Sequence, residues 1–181
     1  MSRHPDHFFP RLSWRHVDIA TRWIFPFALL IFGFFVIGMP FGLPGQAALG
    51  PVYAMACVYF WSLYRPSSLP PPLVALAGLL LDLLNFSPFG TWAILLLLLQ
   101  AATLKLRTKL TQAAFFYVWG GFVALAIFGA ALSWLVTSAC NGLWLPVSPI
   151  LTEAILAFGL YPTITAALIR AHRGLAAIEL V

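Results

Sequence analysis

Charged side chains are scarce in this sequence. Lys and Arg together number 10 and Asp and Glu number 5, so charged residues make up 8% of the 181 residues, against roughly 25% in typical soluble domains. Apolar residues make up 62%, and the mean hydropathy is +0.95. This composition excludes an ordinary soluble domain. The long apolar runs instead predict an integral membrane protein, in which each spanning helix needs about 20 residues.

Enzyme signatures are also missing. The sequence has no phosphate-binding glycine-rich loop, no HExxH and no GxSxG. The histidines of HPDH, residues 4–7, lack metal-site spacing, and Cys57 and Cys140 fall in different apolar segments. We therefore expect no catalysis, cofactor, metal or disulfide framework. The pI near 9.7 is read as a sign of membrane orientation rather than of nucleic-acid binding.

The apolar residues group into six segments, at about 23–42, 47–64, 70–86, 88–104, 114–138 and 149–169. The third and fourth segments could also form one overlong helix. Two features separate them: the turn residues Asn85, Ser87, Pro88 and Gly90 lie between them, and a break here leaves every Lys and Arg of the chain on one side of the membrane.

Basic loops remain in the cytoplasm, so this charge distribution predicts both termini there. The expected fold is an all-α bundle of six transmembrane helices in the bacterial inner membrane, over residues 23–170. Residues 1–22 would form a basic cytoplasmic tail, either lying on the anionic lipid surface or disordered. Residues 171–181 would form a short cytoplasmic C-terminal tail.

Asp82 is the most unusual residue of the apolar runs, in GLLLDLLNFSPFG, residues 78–90. A carboxylate at the centre of a membrane costs roughly 2.5–3.5 kcal/mol, so such residues often mark function. Asp82 would lie near the C-terminal end of the third helix, where the helix dipole disfavours negative charge. It could be protonated and bonded to polar groups such as Asn141, paired with a cation from another protein, or hydrated near the interface.

Glu153 has a structural interpretation in the sequence. Ser148 can cap the sixth helix with Pro149 at its first position, which would place Glu153 near the positive end of the helix dipole. Whether Glu153 and Asp82 approach each other is left open by the sequence.

The segment YFWSLYRP, residues 59–66, combines aromatic and basic residues. Tyr59, Trp61 and Tyr64 precede Arg65, which is typical of an aromatic belt with a basic anchor at the inner interface, and Pro66 would end the helix. A docking surface for a cytoplasmic partner is the alternative interpretation.

These features together resemble the rod shape-determining protein MreD family. The resemblance rests on a basic tail, YFWSLYRP, the span containing GLLLDLL, and SPFG before another leucine-rich span; its specific part covers residues 59–90. The residues that match the family pattern are Trp61, Arg65, Pro66, Gly78, Asp82 and Gly90.

The resemblance implies a non-catalytic scaffold of the peptidoglycan elongation complex, which maintains rod cell shape. Its implied partners are membrane lipids and MreC, with MreB, RodA and a class B penicillin-binding transpeptidase in the same complex. It also implies a fold like that of the membrane substrate-binding subunits of energy-coupling-factor transporters.

Two other functions are considered beside the scaffold. A small-solute (vitamin-like) binding or transport subunit would need a polar pocket open to the outside, for which the sequence offers chiefly Asp82, Asn85, Asn141 and Glu153. An intramembrane enzyme acting on lipid would need converging acid, base or metal ligands.

Overall fold

Six α-helices make up the described part of the protein. The computed structural model describes residues 13–39, 45–85, 87–144 and 146–178, with side chains described from residue 24 to residue 170 of these ranges. No strand occurs within them. The helices are α1 (Ser13–Gly38), α2 (Gln46–Tyr64), α3 (Pro71–Asn85), α4 (Thr91–Leu110), α5 (Phe115–Asn141) and α6 (Ser148–Ile178), and a 3-10 turn, Pro66–Ser68, lies between α2 and α3.

Proline and glycine set the helix boundaries where the sequence predicted them. α2 ends at Tyr64, two residues before Pro66. α3 ends at Asn85 and α4 begins after Gly90, which has a φ of 90°, a conformation that glycine adopts without the steric strain of other residues. The prediction of two separate helices in this region is therefore confirmed, and a single overlong helix is excluded.

α2 is the central helix and contacts every other α-helix. Of the apolar stretch of α2, 72% is buried inside the bundle, whereas the buried share is 28% for α5 and 22% for the apolar stretch of α6. A helix that is apolar all around is suited to such a position because no side has to face water. Cys57 is fully buried in α2, whereas Cys140 is exposed at the end of α5.

The outside of the bundle is also apolar. Large side chains such as Phe35, Ile94, Phe116 and Ile155 are exposed along its helices, which is expected where lipid rather than water is the solvent. Within the described ranges, three helices are long and apolar enough to cross a membrane: α2, α5 and the Ser148–Arg170 part of α6. Two shorter apolar helices there are Ile24–Gly38 and Pro71–Asn85. These properties are those of a helical membrane protein.

Both terminal helices extend beyond the predicted membrane domain. α1 already begins at Ser13, inside the segment predicted as a tail, and α6 continues to Ile178. A helix satisfies its own backbone hydrogen bonds and can therefore continue past an apolar segment. The predicted tail regions 1–12 and 179–181 lie outside the described residues.

Candidate functional site

The hairpin of α3 and α4 is closed by the Asp82 side chain. Its Oδ2 accepts a hydrogen bond from the Gly90 backbone N–H, and its Oδ1 accepts one from the Trp92 backbone N–H, each with an N–O distance of 2.9 Å. The first N–H groups of a helix lack partners within that helix and carry partial positive charge. Asp82, at the end of α3, is therefore the N-terminal cap of α4.

The intervening turn brings these groups together. The Ser87 N–H donates to the Asp82 carbonyl (3.1 Å), and the Thr91 N–H donates to the Pro88 carbonyl (3.2 Å). The positive φ of Gly90 lets the chain enter α4. Because side chain and backbone of Asp82 are both bonded to the turn, this one residue fixes the turn's shape.

Gly78 brings the two helices of the hairpin into direct backbone contact. A Cβ atom at this position would lie 2.5 Å from the Ala93 nitrogen and 2.8 Å from the Trp92 carbonyl carbon. Backbone atoms cannot move aside as the end of a side chain can. Only glycine fits here, and the close approach places the start of α4 within reach of Asp82.

The predicted surroundings of Asp82 are corrected by this geometry. Asn141 is exposed and its Nδ2 donates to the Thr137 carbonyl (2.8 Å), so Asn141 is not a partner of Asp82. Asp82 is 1% exposed, which excludes a hydrated surface carboxylate. Since both oxygens accept bonds from its own hairpin, a cation from another protein has no exposed carboxylate to meet. The sequence missed the backbone partners because they form only after the turn closes.

An open cavity of about 370 Å³ lies beside this turn, at the same end of the bundle. α2 to α6 all contribute to its wall, with Asn85 from the end of α3, Trp92 from α4 and Glu153 from α6. Trp92 connects the two parts of the site, since its backbone N–H binds Asp82 and the residue lines the cavity. Asp82 and Asn141 do not line it, so two of the four residues proposed for a solute pocket, Asn85 and Glu153, are brought together.

The predicted placement of Glu153 near the capped start of α6 is wrong. α6 begins at Ser148, so Ser148 is its first helical residue rather than its cap, and no acidic residue lies in its first turn. The dipole effect falls off within that turn. Glu153 is instead 9% exposed, and its Oε2 has no hydrogen-bond partner among the described residues.

The aromatic residues of YFWSLYRP mostly face the interior. Tyr59 and Trp61 are buried, because they lie on the enclosed central helix, and only Tyr64 is exposed. The belt interpretation is thus wrong for Tyr59 and Trp61. Trp61 packs edge-on against Phe25, with ring centroids 6.2 Å apart.

Arg65 and Pro66 lie at the boundary that the sequence predicted for them. Arg65 is exposed directly after α2, and its backbone N–H bonds to the Trp61 carbonyl (2.8 Å). Pro66 opens the 3-10 turn that follows. Both residues therefore shape the connection between α2 and α3, and the exposed Arg65 is accessible for docking.

Two polar residues of α4 were missed by the sequence interpretation. The Gln100 Nε2 donates to the Leu69 carbonyl (2.8 Å), and the Arg107 Nε donates to the Leu63 carbonyl (2.9 Å). The Gln100 bond holds the connection between α2 and α3 against α4, and the Arg107 bond holds the end of α2 against α4. The available signal was a lone amide inside a leucine run, since a polar group in an apolar environment needs a partner.

The arrangement combines a rigid hairpin with an open cavity whose wall carries both apolar and polar residues. No group of three or more His, Cys, Asp or Glu that could hold a metal occurs among the described residues. In comparisons with known proteins, no family model, curated protein or solved structure matches this chain.

Proposed function

We propose that this protein is a non-catalytic inner-membrane scaffold of the bacterial cell-wall elongation complex and that it maintains rod cell shape. The main support for this proposal is that three residues of the MreD-like motif, Gly78, Asp82 and Gly90, together build the α3–α4 hairpin. Gly78 allows the helices to touch, Asp82 caps α4, and Gly90 lets the chain turn. A motif whose residues build one rigid element is what a structural protein needs.

Six membrane spans with both termini in the cytoplasm are part of this proposal. Arg65 follows α2, and Lys105, Arg107 and Lys109 lie toward the end of α4. The Arg107 bond to the Leu63 carbonyl near the end of α2 supports a position for these residues at the end of the bundle opposite the Asp82 turn. The connections 39–45, 86–90 and 142–147 contain no Lys or Arg. The rule that basic loops stay inside then places the Asp82 turn at the outer surface.

The partner surface would be the outer face of the hairpin. Leu79, Leu83, Leu84 and Phe89 are exposed there, with Phe89 at 79%. In lipid, helices associate through close packing and interhelical hydrogen bonds rather than through apolar burial alone. Our proposal is that a transmembrane helix of a partner such as MreC packs on this face, and that Asp82 positions the turn without touching the partner.

Depletion in a rod-shaped host followed by microscopy tests the function. We expect the rods to become round and the partner to be lost from pull-downs. Asp82→Ala should reduce partner capture at equal protein level, whereas Asn141→Ala, at the same end of the bundle, should leave it unchanged. Rods that keep their shape after depletion would contradict the scaffold.

The cavity favours a second candidate, a small-solute binding or transport subunit. It combines a buried carboxylate with an amide in a wall built by several helices, as small-molecule sites commonly do. This candidate predicts saturable uptake of a nutrient, and a growth defect on depletion that the added nutrient corrects while cell shape stays normal.

A further inference from the structure

The cavity beside the Asp82 turn has a wall rich in hydrogen-bond acceptors. The Ser133 hydroxyl donates to the Ala130 carbonyl (3.2 Å), and the Thr152 hydroxyl donates to the Ser148 carbonyl (3.0 Å). A hydroxyl that has used its only proton can offer a ligand nothing but its lone pairs. These two side chains are therefore acceptors toward the cavity.

The backbone adds another acceptor. Pro51 lies inside α2 and has no N–H, so it cannot donate to the carbonyl of Ala47, four residues earlier. Ala47 and Pro51 both line the cavity. A carbonyl that lacks its helical donor at this wall is available to an N–H group from outside the chain.

Glu153 supplies the negative group. Its side chain is 9% exposed, lines the cavity, and has an Oε2 atom without a hydrogen-bond partner among the described residues. No Lys, Arg or His contributes to the wall. A buried carboxyl without a partner is unfavourable, so the most stable occupant is one that brings hydrogen-bond donors and positive charge.

We propose that this cavity is a binding site for a primary ammonium group, with Glu153 as its acidic partner. An ammonium carries three donors and no acceptor, which complements the acceptors among the polar groups of the wall. Asn85 also lines the cavity, and its amide can bind an oxygen of the same ligand. Trp92, a residue whose ring favours nearby cations, lines the cavity as well.

The volume limits the ligand to a small molecule or a headgroup. About 370 Å³ corresponds to roughly 12 water molecules at about 30 Å³ each. Because the cavity is open, the ammonium could come from a free amine or from the headgroup of phosphatidylethanolamine. The inference rests on the cavity alone, and it gives the second candidate function a ligand class without depending on the scaffold proposal.

Binding to the purified full chain in lipid nanodiscs tests the proposal. In discs of phosphatidylcholine and phosphatidylglycerol, butylamine is titrated by calorimetry, with butanol as the neutral analogue, tetramethylammonium as a cation without donors, and empty discs as the blank. In discs that contain phosphatidylethanolamine, native mass spectrometry measures which lipid the protein retains. Saturable butylamine binding identifies a free amine, and selective phosphatidylethanolamine retention identifies a headgroup.

Variants separate the site from general partitioning into lipid. Glu153→Gln keeps the shape and removes the charge, and should weaken binding about tenfold, as expected for the loss of one charged hydrogen bond. Asn85→Ala should weaken retention of phosphatidylethanolamine, whose phosphate oxygens can accept from the Asn85 amide, about threefold, whereas Asn141→Ala, an amide outside the cavity, should have no effect. Thr152→Val provides a second test if Glu153→Gln does not fold.

The proposal is overturned if butanol binds as well as butylamine and phosphatidylethanolamine is not retained over phosphatidylcholine. It is also overturned if the cavity variants bind like the wild-type protein in both kinds of disc. These binding experiments do not measure cell shape, so a negative result would not contradict the scaffold proposal, which the depletion experiment tests.

Discussion

Asp82 and Trp92 lie ten residues apart and are joined by a 2.9 Å hydrogen bond from the Trp92 backbone N–H to the Asp82 Oδ1. The bond links the last turn of one helix to the first turn of the next. Trp92 is 3% exposed and is one of the residues that line the cavity. A change at Asp82 is therefore expected to reach the cavity through Trp92 even though Asp82 does not line it.

Graded substitution at Asp82 should give graded loss of stability. Asp82→Ala leaves the buried Trp92 N–H and the partly buried Gly90 N–H without an acceptor and should lower the free energy of unfolding by about 1.5–3 kcal/mol. Asp82→Asn keeps one acceptor oxygen, so its free energy of unfolding should lie between those of the wild-type and Asp82→Ala proteins. Unfolding in SDS titrations measures all three. Equal stability of all three proteins would show that the cap contributes nothing.

Gly78 should not tolerate even one added methyl group. Gly78→Ala forces the backbones of α3 and α4 apart and should cost about 1–3 kcal/mol. Gly159 is the matched control, since a Cβ there meets nothing within 4 Å and Gly→Ala inside a helix is intrinsically favourable by up to about 1 kcal/mol. The unfolding temperatures of both variants are compared in the same detergent. A Gly78→Ala protein that unfolds at the wild-type temperature would contradict the backbone contact.

Tyr59 should stabilise the packing of α2 against α5 through its hydroxyl. The Tyr59 hydroxyl donates to the Val118 carbonyl (2.9 Å), and its ring contacts Phe122 and Tyr161 at centroid distances of 5.4 and 5.9 Å. Tyr59→Phe keeps the ring contacts and should lower the free energy of unfolding by about 0.5–1.5 kcal/mol.

The control for that change is Tyr117→Phe. Tyr117 is 72% exposed on α5, so loss of its hydroxyl should leave the unfolding midpoint in SDS unchanged. If both tyrosine variants shift the midpoint equally, the buried hydrogen bond is not the cause.

Labelling in intact cells tests the proposed topology. In a Cys140→Ala background, a membrane-impermeant maleimide should modify Trp144→Cys and should reach Lys109→Cys only after the cells are opened. Trp144 is 84% exposed, and both positions are exposed in the structure. Labelling of position 109 but not of position 144 from outside would invert the proposed orientation.

The sequence predicted where helices begin and end better than it predicted which sides face inward. Asn85, Pro88 and Gly90 mark the turn by their own backbone preferences, so its position could be read locally. Trp61 was misassigned to the surface because α2 is apolar on all sides and its composition gives no inner face. Burial of that residue depends on the helices around α2.

Asp82 and Glu153 show the same limit for the candidate site. Asp82 was recognised as unusual, but its partners are backbone N–H groups, which every residue carries and no motif marks. Glu153 was assigned to the start of α6, and its place in the cavity depends on five helices that meet at one end of the bundle. Such a meeting point has no local signature in the chain.

Because one cysteine is buried and the other is exposed, alkylation of the wild-type protein can measure how much of it is unfolded. Cys140 is exposed and Cys57 is fully enclosed, so a small neutral alkylating reagent that reaches both water and detergent should add one mass increment to the native protein. A second increment appears only when α2 is released from its neighbours. The ratio of singly to doubly alkylated protein then gives the unfolded fraction without any substitution in the sequence.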